Sequence, residues 1–268
     1  MKFYIHTFPH NGSAGVRALY ILAEAIERRG IEARTELLGR PLPGDAGDAV
    51  HVYPETVSGN PARAERVVRW ALNVPGLLTG VPMGERPDDL IMAWDPHCWP
   101  DAPRLRVPTI EPDCFYPKTT PGLGTVLWVH KGSREVPDAL PGPVREITWQ
   151  WPTTRGEVGD VLRAADLLYS CDPFSGLNDE AVVCGTPVLF SPMAAGSMPV
   201  TVDRHGMALS WDGLEQARAE ARDGAERYDR LCEALSGDVD RFIDLCGAKW
   251  GWESTPFLPR YQGVMLHG

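Results

Sequence analysis

The stretch that most restricts the possible folds is residues 167–190. Leu167, Leu168, Tyr169 and Ser170 read as a buried strand. A loop follows with Asp172, Pro173, Ser175, Gly176 and Asn178, all residue types suited to turns and helix starts. The spacing predicts a helix from Leu177 to about Cys184, with Gly185 placed to end it. Thr186 and Pro187 then lead into the apolar run Val188, Leu189, Phe190. This is an α/β crossover. A helix that begins at the carboxyl end of a strand offers free N–H groups and the positive end of its dipole, which suits an anion such as a diphosphate.

The rest of the chain repeats that alternation. Residues 2–7 read as a first strand, and a loop at 10–15 leads to a helix. Val16, Leu19, Tyr20, Leu22, Ala23 and Ile26 give that helix its spacing, and it ends at Gly30. Strands are expected at 31–38, 49–53, 89–94 and 105–110, and a helix from Asn60-Pro61 to about Asn73. The Pro-dense segment 111–122 reads as a linker. The second half opens with a strand at 124–130, then a strand at 146–151 and a turn and helix over 152–166. Beyond residue 190 a small-residue loop at 191–197 and a short strand from Pro199 are expected. A long helix starts at Asp212 with a capping-box-like Glu215, and another runs from Asp238 to Trp250. The fold class is α/β with two Rossmann-like domains. Residues 1–118 form the first, 119–250 the second, and 251–268 a tail crossing back to the first.

Composition narrows the function classes. The chain has 268 residues and a net charge of −10, which argues against broad binding to a phosphate backbone. Four arginines, Arg17, Arg63, Arg66 and Arg69, leave room for a local basic patch. No apolar run is long enough to span a membrane, and the first residues lack a signal-peptide pattern, so a cytoplasmic protein is expected. The six cysteines show no metal spacing and read as reduced thiols. The first loop lacks G-x-G-x-x-G, which disfavours NAD.

Asp172 and Glu180 stand with seven residues between them, followed by Cys-Gly-Thr-Pro-Val. The pattern resembles the E-x7-E motif of GT-B glycosyltransferases, especially the family 4 branch, with Asp in first place. Tyr53-Pro54-Glu55 and the Gly-Asn-Pro after it, with Val-Val-Arg-Trp beyond, resemble the first domain of the same family. The chain is short for such an enzyme, so one or both halves are trimmed.

The resemblance implies transfer of a sugar from a nucleotide-diphosphate donor to a hydroxyl acceptor, retaining and with no bound metal or other cofactor. It casts Glu180 as the ribose ligand, with Ser175, Gly176, Leu177 and Asn178 lining phosphate and sugar. Lys131, at the end of the first strand of the second half and followed by Gly132, is similar to the family's diphosphate-neutralising cation; the alternative is a solvated lysine. Arg155 lies in a segment that borders the nucleotide base. Gly12, Gly15 and Arg17 approach the acceptor or donor phosphates, or else cap a helix. Asp172 takes the place of the first acid. Glu55 is a base or acceptor contact, or a loop carboxylate. Asp95 and His97 are sugar contacts, or a simple turn. The acceptor is a glycan, a lipid-linked glycan or, in a phage-type enzyme, hydroxymethylated bases in DNA. A nucleotide-sugar-binding protein without transfer activity is the alternative from another class.

Overall fold

The computed structural model describes residues 2–10, 13–40, 46–198 and 204–252. The expected strand from Pro199, Gly12, and most of the tail lie outside them. The chain divides into two compact units, Met1–Val107 with Leu235–Gly268, and Pro108–Ala234. Both are built on a five-stranded parallel sheet.

The first unit holds β1 (Lys2–Thr7), α1 (Ala14–Glu27), β2 (Glu32–Leu37), β3 (Val50–Pro54), β4 (Arg66–Ala71) and β5 (Leu90–Ala93), in the order β2-β1-β3-β4-β5. Phe3, Ile5, Val50, Val52, Val68 and Trp70 point to one face and join Leu19, Leu22 and Ile26 of α1 in a single core. The other face carries Tyr4, His6, His51, Tyr53 and Arg69, all buried. Its rings form a ladder, with His6 stacked on Tyr53 at 4.2 Å.

Two expectations fail in this unit. The segment read as a helix up to Asn73 contains the strand β4. Its Val-Val-Arg-Trp run is buried on both faces of a parallel sheet, where strands are near-continuously apolar. Asn60 brackets a loop instead of capping a helix: its side chain accepts from the Ala64 N–H at 3.0 Å and donates to the Ala64 carbonyl at 2.8 Å. Residues 105–110 form no strand; contact with β5 is one bridge, Ala93 with Arg104, and the Leu105 N–H to the Ala93 carbonyl.

The second unit holds β6 (Thr125–Trp128), β7 (Val144–Ile147), α2 (Arg155–Ala164), β8 (Leu167–Ser170), α3 (Gly176–Val183), β9 (Val188–Phe190), α4 (Pro192–Ser197), β10 (Met207–Ala208) and α5 (Leu214–Ala221), in the order β10-β9-β8-β6-β7. Val126, Leu168, Val188 and Phe190 pack with Leu162 and Ala181 of α2 and α3; Leu127, Tyr169 and Leu189 pack with Leu214 and Ala217 of α5. A capping box of Thr154 and Glu157 starts α2. Gly185, at φ +75°, follows α3 where a left-handed residue is needed.

The expected linker is packed into this unit. Phe115 is buried in its core, and Lys118 donates to the Ala165 carbonyl at 2.7 Å. Residues 191–197 are not loop but α4, with Ser191 as cap and Pro192 in its first turn. The long helices are divided differently from the expectation. α5 stops at Ala221, and α6 (Gly224–Trp250) runs unbroken through Asp238. A Cβ on Gly224 would lie 2.3 Å from the Val182 carbonyl, so the chain passes too close to α3 there for any larger residue.

Candidate functional site

Both sheets share one strand order when strands are numbered within the unit: second, first, third, fourth, fifth. In such sheets the chain turns in opposite directions between first and third strands, and ligands bind beyond the carboxyl ends there. In the second unit that point lies between β6 and β8. The segment after β6 supplies His130, Lys131 and Gly132; the segment after β8 supplies Asp172 to Ser175 and the start of α3.

The two segments touch. A Cβ on Gly132 would sit 1.8 Å from the Cys171 carbonyl oxygen, so only glycine fits. His130 turns back through a left-handed backbone, φ +45°, uncommon for any residue but glycine. Its ring stacks on Trp128, centroids 4.5 Å apart and 14° between planes, and meets Trp149 at 4.5 Å on its other contact. Nδ1 lies 2.5 Å from Asp172 Oδ2. An ionised carboxylate only accepts, so the proton of this pair sits on Nδ1. Nε2 has no partner among the described residues.

Asp172 also accepts from the Phe174 N–H at 3.0 Å, and its carbonyl accepts from Asn178 Nδ2 at 2.9 Å. That second bond fixes the Asn178 amide, because only its NH2 can donate there. Asn178 Oδ1 is then buried without a partner. Ser175 caps α3: its hydroxyl oxygen accepts from Leu177 N–H at 3.3 Å and from the Trp128 indole at 2.9 Å, and its carbonyl accepts from Asn178 N–H. The Gly176 N–H stays open among the described residues. Lys131 is exposed and has no ion pair among the described residues. One point therefore gathers Lys131, Gly132, Asp172, Ser175, Gly176, Leu177 and Asn178.

Glu180 and Arg155 meet, but on each other. Arg155 Nη2 lies 2.5 Å from Glu180 Oε1 and Nη1 3.3 Å from Oε2, while Nε reaches Glu111 at 2.8 Å. The guanidinium sits 4.4 Å over the Phe115 ring. Burial opposes the Arg155 charge, yet the two carboxylates outweigh it and hold its pKa above the ordinary value. Glu180 is 2% exposed.

The candidates of the first unit gather at the carboxyl end of its own sheet. Glu55 is buried and accepts from the Leu72 N–H at 3.0 Å. Asp95 Oδ1 accepts from the His97 N–H at 3.1 Å and lies 2.9 Å from His97 Nδ1. His97 Nε2 is 3.6 Å from the Cys98 thiol. This looks like a nucleophile set, but burial pushes Cys98 up to about 12, so it carries no thiolate near neutrality. A Cβ on Gly15, beside Leu72 and Ser13, would meet ordinary packing distances only. Arg17 is buried on α1 rather than solvated. Arg69 is buried too, donating to Asp89 at 3.0 Å, so the four arginines form no surface patch.

His130, Trp128 and Trp149 belong to no motif that marks a site in the sequence. A histidine at a strand end beside Lys-Gly was the available signal. Among the described residues no group of His, Cys, Asp and Glu is arranged to hold a metal, and no helix is long and apolar enough to cross a membrane. No family model matches the chain, and no curated protein matches it.

Proposed function

We propose that the chain is a nucleotide-sugar-dependent glycosyltransferase whose second unit holds the donor. One observation carries the reading: the open groups at the β6/β8 switch point make opposite demands. Lys131 and the Gly176 N–H call for anionic oxygens, and α3 adds the positive end of its dipole. Asn178 Oδ1 calls for a hydrogen-bond donor, which a bare anion does not supply and a sugar hydroxyl does. A sugar diphosphate brings both. In the reaction, the fixed cation and helix end stabilise the charge that develops on the leaving diphosphate. Glu180, the ribose ligand of this reading, is bound in a fork by Arg155, so it would meet a ribose with that arginine beside it.

The test is a thermal-shift screen with UDP, GDP, ADP and CDP, their sugars, and NAD. A ligand that binds only the folded protein raises its melting temperature by mass action. A shift with one nucleoside diphosphate and its sugar is expected. Labelled sugar appearing on water or on a hydroxyl acceptor separates a transferase from a protein that only binds. No shift with any nucleotide overturns the reading.

A further inference from the structure

We propose that His130, held by Asp172, is a direct hydrogen-bond donor to the diphosphate of the ligand, working beside Lys131 at the switch point. Four observations lead there. The ring is held by two aromatic contacts, stacked on Trp128 and tilted against Trp149. Its Nδ1 is tied to the Asp172 carboxylate at 2.5 Å, which holds the ring in one orientation. The side chain is 10% exposed, and Nε2 has no partner among the described residues, which leaves it accessible to a ligand. Finally, the backbone at His130 is left-handed, a conformation kept only where the surroundings impose it.

The same elements say where Nε2 works. His130 stacks on Trp128, and the Trp128 indole reaches the hydroxyl of Ser175, the cap of α3. The ring is thus built into the wall that carries the Gly176 N–H, and Lys131 is its chain neighbour. With Nδ1–H given to Asp172, Nε2 donates to a phosphate oxygen in the imidazolium form, the second proton being taken up together with the diphosphate. Asp172 then serves as the positioning residue that holds the ring through Nδ1. During transfer the bond from the anomeric carbon to the diphosphate oxygen breaks and its electron pair stays on that oxygen. The acceptor oxygen bonds to the carbon, and the acceptor proton passes to the departing diphosphate. Nε2–H stays on the ring and hydrogen-bonds the diphosphate throughout. The leaving-group role rests on the transferase reading; the diphosphate contact does not.

The experiment is calorimetric titration of the full chain with pyrophosphate, with the nucleoside diphosphate found in the screen, and with the matching nucleoside. His130→Phe keeps a ring between the two tryptophans and removes both nitrogens. It is expected to weaken both diphosphates roughly tenfold or more, the loss of one charge-assisted bond, and to leave nucleoside binding unchanged. Asp172→Asn is expected to weaken them in the same selective way. His130→Gln, which retains a donor, is expected to recover part of the loss and stands in if the Phe variant does not fold. If wild type binds diphosphates and His130→Phe binds them equally, His130 is not the donor while the transferase reading survives. If binding depends on His130 but no sugar moves to any acceptor or water, the contact stands and the transferase reading falls. If wild type binds neither diphosphate, both fall.

Discussion

The two units place polar side chains at the carboxyl ends of sheets of the same topology, and do opposite things with them. In the first, Glu55 holds the Leu72 N–H, Asp95 holds His97, and His97 faces a buried thiol. In the second, His130 Nε2, Asn178 Oδ1, the Gly176 N–H and Lys131 have no partner among the described residues. The connections explain the difference. After β3 and β4 the first unit runs through irregular segments, whose backbone N–H groups need side-chain partners. After β8 and β9 the second unit enters α3 and α4, whose serine caps satisfy the backbone with short side chains. Longer polar groups are then left for a ligand. Shared strand order therefore locates a possible site, and loop chemistry decides whether it is one.

The sharpest way to break this comparison is a pair of glycine substitutions. Gly132→Ala puts a methyl into the Cys171 carbonyl, a backbone atom that has nowhere to go. The expected cost is about 4 kcal/mol or more, read as loss of the folding transition of the second unit. Gly15→Ala meets nothing closer than 3.8 Å and lies in the first turn of a helix. It is expected to stabilise by about 0.5 kcal/mol in the same denaturation experiment. Equal effects would show that the switch points are not built differently.

Next in size is Glu180→Ala. The family resemblance casts Glu180 as a ribose ligand. The structure makes it the partner of Arg155, whose side chain is 25% exposed. Removal is expected to destabilise by about 3 kcal/mol, at the low end for a buried pair because Arg155 keeps Glu111 and some water. Urea denaturation checks it. A neutral result would return Glu180 to the role of free ribose ligand.

How far the sequence shows all this follows from range. β1, α1, β3, β6, β8 and α3 announce themselves because their signals are local: apolar runs, a helical stripe, Ser175 and Gly185 at the ends of α3. β4 does not. Val67, Val68, Ala71 and Leu72 fit a helical face as well as a strand, and Asn60-Pro61 imitates a cap. Only burial on both faces settles it. The site divides in the same way. Lys131 and Ser175 to Asn178 are legible at strand and helix ends. The His130–Asp172 contact joins residues 42 apart in sequence, and Arg155–Glu180 joins residues 25 apart. Both depend on β6 lying beside β8 and α2 beside α3, which no local pattern encodes.

The first unit's buried ladder gives a pH-dependent contrast. Burial, helped by His51 at 2.9 Å, lowers His6 from 6.5 to about 3. Below pH 6.5 the unfolded chain takes up a proton that the folded chain refuses. Stability is therefore full above pH 6.5 and falls by about 1.4 kcal/mol per unit towards pH 3, or about 2 kcal/mol at pH 5. Denaturation of wild type and His6→Phe at pH 7 and pH 5 reads this. The variant keeps a ring on Tyr53 and is expected to lose that component of the slope; an unchanged slope would place the titration elsewhere.

The smallest stability effects make the finest test, because they separate holding a loop from holding a ligand. Glu55→Ala takes the side-chain acceptor from the half-buried Leu72 N–H, which keeps the Trp70 carbonyl at 3.0 Å, and is expected to cost about 1 kcal/mol. Lys131→Ala removes an exposed side chain with no ion pair among the described residues, and is expected to change stability by less than about 0.5 kcal/mol. Its effect should appear instead in the affinity for pyrophosphate and in turnover, with the salt dependence of binding reduced, since a fixed cation loses its pull as ions screen it. A Lys131 variant that melts early but binds normally would make this lysine part of the scaffold. The contrast between the units would then rest on His130, Asn178 and the Gly176 N–H.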